Sequence, residues 1–125
     1  MKKFIAAAAL SVLGSAAFAD DVLGTWRSEA GETGGYITVN MAQCGSKICG
    51  TIASVVGNDN TSIVGRQIIA NMSPNGGGAY SGGTIWAPDQ DKTYKSKMQL
   101  SGNSLKVQGC VLGGAVCRGQ TWTRQ

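Results

Sequence analysis

The sequence predicts an all-β protein, a small eight-stranded antiparallel up-and-down barrel with room for one short helix. Three observations lead there. After residue 19 the apolar residues alternate in short runs, and no long stretch keeps helical spacing. Gly, Asn, Asp and Pro interrupt these runs at short intervals. Eighteen of the 19 glycines lie in this part, a density that suits tight turns and close backbone approaches. Closing eight strands into a cylinder removes the exposed edges of an open sheet. Its interior is then filled by side chains or holds one small ligand.

The strands are expected at Leu23–Arg27, Gly35–Gln43, Lys47–Val56, Arg66–Met72, Ala79–Ala87, Lys92–Leu100, Ser104–Val111 and Val116–Arg124. The sixth is the plainest. Tyr94, Met98 and Leu100 fall on one face, Lys95, Lys97 and Gln99 on the other. Ser101-Gly102-Asn103-Ser104 follows as a tight hairpin signal. The returning strand alternates in turn, with Leu105, Val107 and Val111 inward and Lys106 and Gln108 outward. Lys95, Lys97 and Lys106 thus share a solvated face that discourages edge pairing. Connections are expected at 57–62, 73–78 and 88–91, and the short helix within Ile63–Met72. Asn58-Asp59-Asn60 and Asp89-Gln90-Asp91 lack the ligand spacing of a calcium loop and read as turns. No metal site and no cofactor are expected.

Residues 1–19 read as a secretory signal. Lys2 and Lys3 precede an apolar stretch from Phe4 to Leu13, and Ala17-Phe18-Ala19 offers a cleavage site before Asp20. The stretch is shorter than the roughly 20 residues of a membrane helix. Residues 20–125 are then a single domain without an integral membrane segment, placed in the periplasm or secreted. Without Lys2 and Lys3, nine basic side chains face seven acidic ones. That balance gives no argument for nucleic acid or an anionic membrane. The chain has no histidine, which excludes His-based triads, His-ligated zinc and histidine switches.

Cys44, Cys49, Cys110 and Cys117 follow an export signal, so two disulfides are expected. Of three connectivities, Cys44–Cys49 and Cys110–Cys117 are favoured because each pair brackets a turn. Such short loops contribute about 2–3 kcal/mol each in a chain-entropy model. The spacings are not those of a zinc ribbon or a Cys-x-x-Cys redox motif.

Gly24-Thr25-Trp26 on the first strand and Arg124 at the end of the last form a closure signature. A barrel must place these strands side by side. A guanidinium over the indole there contributes about 0.5–2 kcal/mol and plugs the end. This resembles the Gly-x-Trp and C-terminal Arg signature of the calycin superfamily, the lipocalins and their relatives. A wider set of motifs lies around it: Cys44-Gly45-Ser46-Lys47-Ile48-Cys49-Gly50, Gly65-Arg66, Gly82-Gly83-Thr84-Ile85-Trp86-Ala87-Pro88, Lys92-Thr93-Tyr94, Leu105-Lys106-Val107-Gln108-Gly109 and Gln120-Thr121-Trp122-Thr123-Arg124. In that order they resemble the DUF2147 family of exported bacterial proteins over essentially all of residues 20–125. The resemblance implies an exported calycin-like barrel, and it implies no activity and no catalytic residues. Cys110 and Cys117 fall outside the motif set, so their pairing rests on the turn they bracket.

The large side chains that could line a cavity are Tyr36, Tyr80, Trp86, Tyr94, Met98 and Trp122. Residues 80, 82, 84 and 86 are expected on one face, with Gly82 leaving room between Tyr80 and Trp86. Aromatics with polar tips around a gap suit a small apolar or amphipathic ligand. The seven carboxylates outside the signal lie at its end or in expected loops, and no nucleophile motif is present, so no catalytic residue is assigned. The leading expectation is a non-enzymatic envelope protein that binds such a ligand. The alternative is a packed barrel that docks an envelope protein through the glycine-rich 73–83 region beside an exposed Trp86.

Overall fold

Alternating side chains and two-residue turns assemble the chain into one continuous antiparallel sheet. A computed structural model describes residues 20–125; the expected signal, residues 1–19, lies outside the described residues. The strands are β1 (Gly24–Arg27), β2 (Tyr36–Cys44), β3 (Lys47–Val56), β4 (Gln67–Gly76), β5 (Ala79–Ala87), β6 (Lys92–Ser101), β7 (Ser104–Val111) and β8 (Val116–Arg124). Each pairs with the next, and β8 returns to β1, closing the barrel. Seven strands lie within one residue of their expected bounds at both ends, and four of these match at both ends.

The main departure is β4. The expected loop at 73–78 is strand as far as Gly76, because Ser73 and Pro74 pair with Ser81 and Tyr80 across a tight glycine turn. Pro74 is tolerated where the ladder is already irregular. Ile63–Met72 forms no α-helix. A single 3-10 turn, Thr61–Ile63, precedes the strand instead. The hairpin at Gly102-Asn103 has two loop residues, with Ser101 opposite Ser104 and Gly102 at φ 60°. Glycine at the first central position suits a hairpin whose twist matches its strands.

The two barrel ends differ. At one end lie the start of β1, the β2–β3, β4–β5 and β6–β7 turns and the end of β8. Trp26 is fully buried there, and its indole N–H donates to the Val22 carbonyl at 2.8 Å. The Arg124 guanidinium lies 4.3 Å over its ring and donates to Asp21 O, Leu23 O and Asn103 Oδ1. Trp26 pairs directly with Arg124 in the β1–β8 register. Val39, Met41, Ile48, Ile52, Ile69, Met72, Leu105 and Val107 fill the barrel above this plug.

Both disulfides join the expected partners. Cys44–Cys49 spans the β2–β3 hairpin, and Cys110–Cys117 links residues directly opposite on β7 and β8. The first staples the plugged end, the second the rim of the other end.

The plug sets a stability expectation. Arg124→Ala should lower the unfolding free energy by about 2–3 kcal/mol, since it removes the stacking and leaves two backbone carbonyls without their donor. Trp26→Ala should cost about 3–5 kcal/mol. Urea denaturation of residues 20–125 checks both, and near-wild-type midpoints would contradict the plug.

Candidate functional site

The opposite end is open. Its rim is built by the β1–β2 loop, the 57–66 connection, the β5–β6 loop and the β7–β8 connection. A cavity of about 850 Å³ descends from this rim into the barrel. Ile37, Val55, Ile85, Tyr94, Val107 and Trp122 give it apolar walls. The volume lies within the range of small-molecule sites.

Glycine makes part of this room. On β7, Gly109 shares the inward face of Leu105 and Val107. A Cβ there would stand 3.2 Å from Ile85 Cγ2 and 3.4 Å from Tyr94 Cβ, so any larger side chain would fill the space between them. Bulky residues one or two pairs lower close the barrel, and Gly109 leaves it hollow.

Four of the six expected lining residues meet here: Tyr36, Trp86, Tyr94 and Trp122. Trp122 is buried, and its indole N–H donates to Gln120 Oε1 at 2.9 Å. The Tyr94 hydroxyl donates to Gln90 Oε1. Tyr36 carries the Arg27 guanidinium 3.9 Å above its ring, and Trp86 carries that of Arg66 at 4.0 Å. Arg66 is held for this contact by the backbone, since its carbonyl accepts the Ile52 N–H.

Tyr80 and Met98 are elsewhere. They pair with each other in the buried half, outside the cavity lining. The expected shared face of Tyr80 and Trp86 fails at one place. The β5–β6 register shifts between Tyr80 and Gly83, and Gly82 takes φ 82°. A bulge of this kind inverts the alternation. Gly83 and Ile85 therefore follow Tyr80 inward, and Trp86 takes the opposite parity at the rim. Trp86 is half-buried on a strand rather than exposed on a loop, and its indole N–H donates to Asp91 Oδ1.

Two polar cavity residues, Glu29 and Arg118, have no role in the sequence-based expectation, and Gln120 joins them on the face of β8 that carries Trp122. β1 and β8 pair only at Trp26–Arg124 and Arg27–Thr123. Beyond these, the Glu29 carboxylate accepts the Thr121 N–H at 2.6 Å, and Gln120 Oε1 accepts the Glu29 N–H at 3.1 Å. Side chains thus continue a seam that the ladder leaves. Arg118 and Gln120 have the inward parity of Trp122 on β8, a signal visible once the strand's alternation is carried two pairs upstream. The turn residues behave as expected of turns: Asn58 Oδ1 accepts the Asn60 N–H. Among the described residues, no group of three or more His, Cys, Asp and Glu side chains is placed to hold a metal ion.

At the plugged end the Tyr80 hydroxyl donates to Asp20 Oδ1. Burial, then that hydrogen bond and the charges of Asp20 and Asp21, push its ionisation well above the ordinary tyrosine range. The fold therefore favours the neutral phenol. Its contribution is fully present below the ordinary value of about 10 and is lost at higher pH. The melting temperature should fall above pH 10 more steeply in the wild type than in Tyr80→Phe. At the seam, Glu29→Ala should cost about 1 kcal/mol and accelerate hydrogen exchange at the Thr121 amide, with Glu29→Gln retaining most of the protection. NMR-detected exchange reads this directly.

Comparisons with known proteins agree with this architecture. The family model described as "Uncharacterized protein conserved in bacteria (DUF2147)" matches residues 24–124. No curated protein matches. A solved structure, protein HP1028 from the human pathogen Helicobacter pylori, described as belonging to the lipocalin family, superposes with a TM-score of 0.69. The match is 17% identical and covers 84% of this chain and 83% of that one, a likeness of fold. With its lipocalin-like barrel and a family match running from Gly24 to Arg124, the chain belongs to the DUF2147 family.

Proposed function

We propose that this protein is a non-enzymatic binding module of the cell envelope that holds one small apolar or amphipathic molecule in its open-ended barrel. The observation that carries this reading is the cavity of about 850 Å³, apolar in its depth and polar at its rim. An eight-stranded barrel has room for one ligand when its interior is left unfilled. Burial of a ligand's apolar chain against Ile85, Val107 and Trp122 would supply the affinity. The lipocalin-like fold supports the same use. Two disulfides suit an oxidising compartment, the periplasm or the exterior. The docking alternative loses its first support, since Trp86 is covered by Arg66 and is not a free anchor.

Trp122 at the cavity floor is a built-in reporter. Alkyl amphiphiles should change its fluorescence at micromolar concentration, and Gly109→Leu, which fills the space beside Ile85 and Tyr94, should weaken them about tenfold or more. Native mass spectrometry of protein isolated from its own envelope should show a bound small molecule. A flat titration across lipids and metabolites, together with a ligand-free native mass, would overturn the reading.

A further inference from the structure

The cavity mouth is asymmetric in its hydrogen bonding. Gln120 Oε1 accepts two N–H groups, the indole of Trp122 at 2.9 Å and the backbone of Glu29 at 3.1 Å. Neither donor can accept, so the amide orientation of Gln120 follows from its partners, and its NH2 group is left over. Asn58 Oδ1 is committed in the same way to the Asn60 N–H at 2.8 Å. The amide oxygens of Gln120 and Asn58 are thus engaged inside the protein while their NH2 groups remain available.

Arg118 completes this pattern. It lies two residues before Gln120 with the same parity on β8, opposite Gly109, and it lines the cavity. Among the described residues its guanidinium has no hydrogen-bond or ion-pair partner, unlike Arg27, Arg66 and Arg124, which each stack on an aromatic ring. Two carboxylates share the mouth. Glu29 is engaged with the Thr121 N–H, and Asp89 sits on the β5–β6 loop, two strands round the rim from β8.

Resting on the binding reading above, we infer that the bound molecule is a single-chain amphiphile with an anionic, acceptor-only head seated on Arg118 and Gln120. Its chain runs down past Gly109 toward Val107 and Trp122. Two long donor side chains two residues apart on one strand face, about 7 Å between their Cα atoms, can converge on the oxygens of one carboxylate or phosphate. A guanidinium forms stronger hydrogen bonds to such a head than to a hydroxyl, and it repels an ammonium.

The test measures dissociation constants of residues 20–125 for four probes with the same chain: dodecanoate, dodecyl phosphate, dodecanol and dodecylamine. Tryptophan fluorescence reads binding. Both anions should bind about tenfold or more tightly than dodecanol, with dodecylamine weakest. The stronger of the two anions identifies the head. Arg118→Gln should bring the dodecanoate-to-dodecanol ratio close to one, and Arg118→Lys should keep part of it. Gln120→Glu keeps the acceptor for the Trp122 N–H but replaces the free donor with a charge, and should weaken both anions. Dodecanol or dodecylamine binding as tightly as the anions, or a ratio unchanged in Arg118→Gln, would overturn the inference while leaving the cavity reading intact. Failure of all four probes to bind would overturn both.

Discussion

The stacked pair of Trp26 and Arg124 holds the two ends of the chain to one another, and the rest of the barrel depends on it. β1 has only four residues, and the ladder joining it to β8 has only two pairs. So short a pairing is weak on its own. The Arg124 guanidinium reinforces it by covering the indole and donating across to Asp21, Leu23 and the β6–β7 turn. One side chain therefore ties together three segments far apart in sequence. Where this reinforcement stops, the seam continues through the side chains of Glu29 and Gln120.

A gradient along the barrel axis follows. Near the plug, Trp26, Met41, Ile48, Met72 and Leu105 fill the interior, and the stability resides there. Toward the rim the inward positions pass to Gly109, Gln120 and Arg118, which do not fill it. The rim itself is held by the Cys110–Cys117 bridge and by arginines laid over Tyr36 and Trp86. These contacts fix the mouth without closing it. A rigid filled half thus carries a hollow half, so that a site can stay open without collapse of the fold.

Strand number, barrel closure and both disulfides were legible in the sequence because each rests on a local rule. Period-two alternation marks strands, two-residue turns mark hairpins, and cysteines bracketing a turn are close in space whatever the fold. The Trp26–Arg124 contact was legible too, since a closed barrel must juxtapose its first and last strands. Local rules failed where the ladder shifts. Tyr80 and Trp86 read as neighbours on one face, yet a bulge at Ser81–Gly82 separates them. Pro74 read as part of a loop, yet cross-strand pairing with Tyr80 keeps it in β4.

The sequence by itself determined the class of fold, the order of its strands and the chemistry it lacks, with no histidine to act as base or ligand. Only the tertiary structure decided which end of the barrel is hollow and which polar atoms there stay free. Composition gives amides and carboxylates, but hydrogen bonds between residues 91 positions apart, as at Glu29 and Gln120, consume some of their atoms and leave others free. What a site can bind depends on those remaining atoms. They are set by register shifts and seam contacts that leave no periodic trace along the chain.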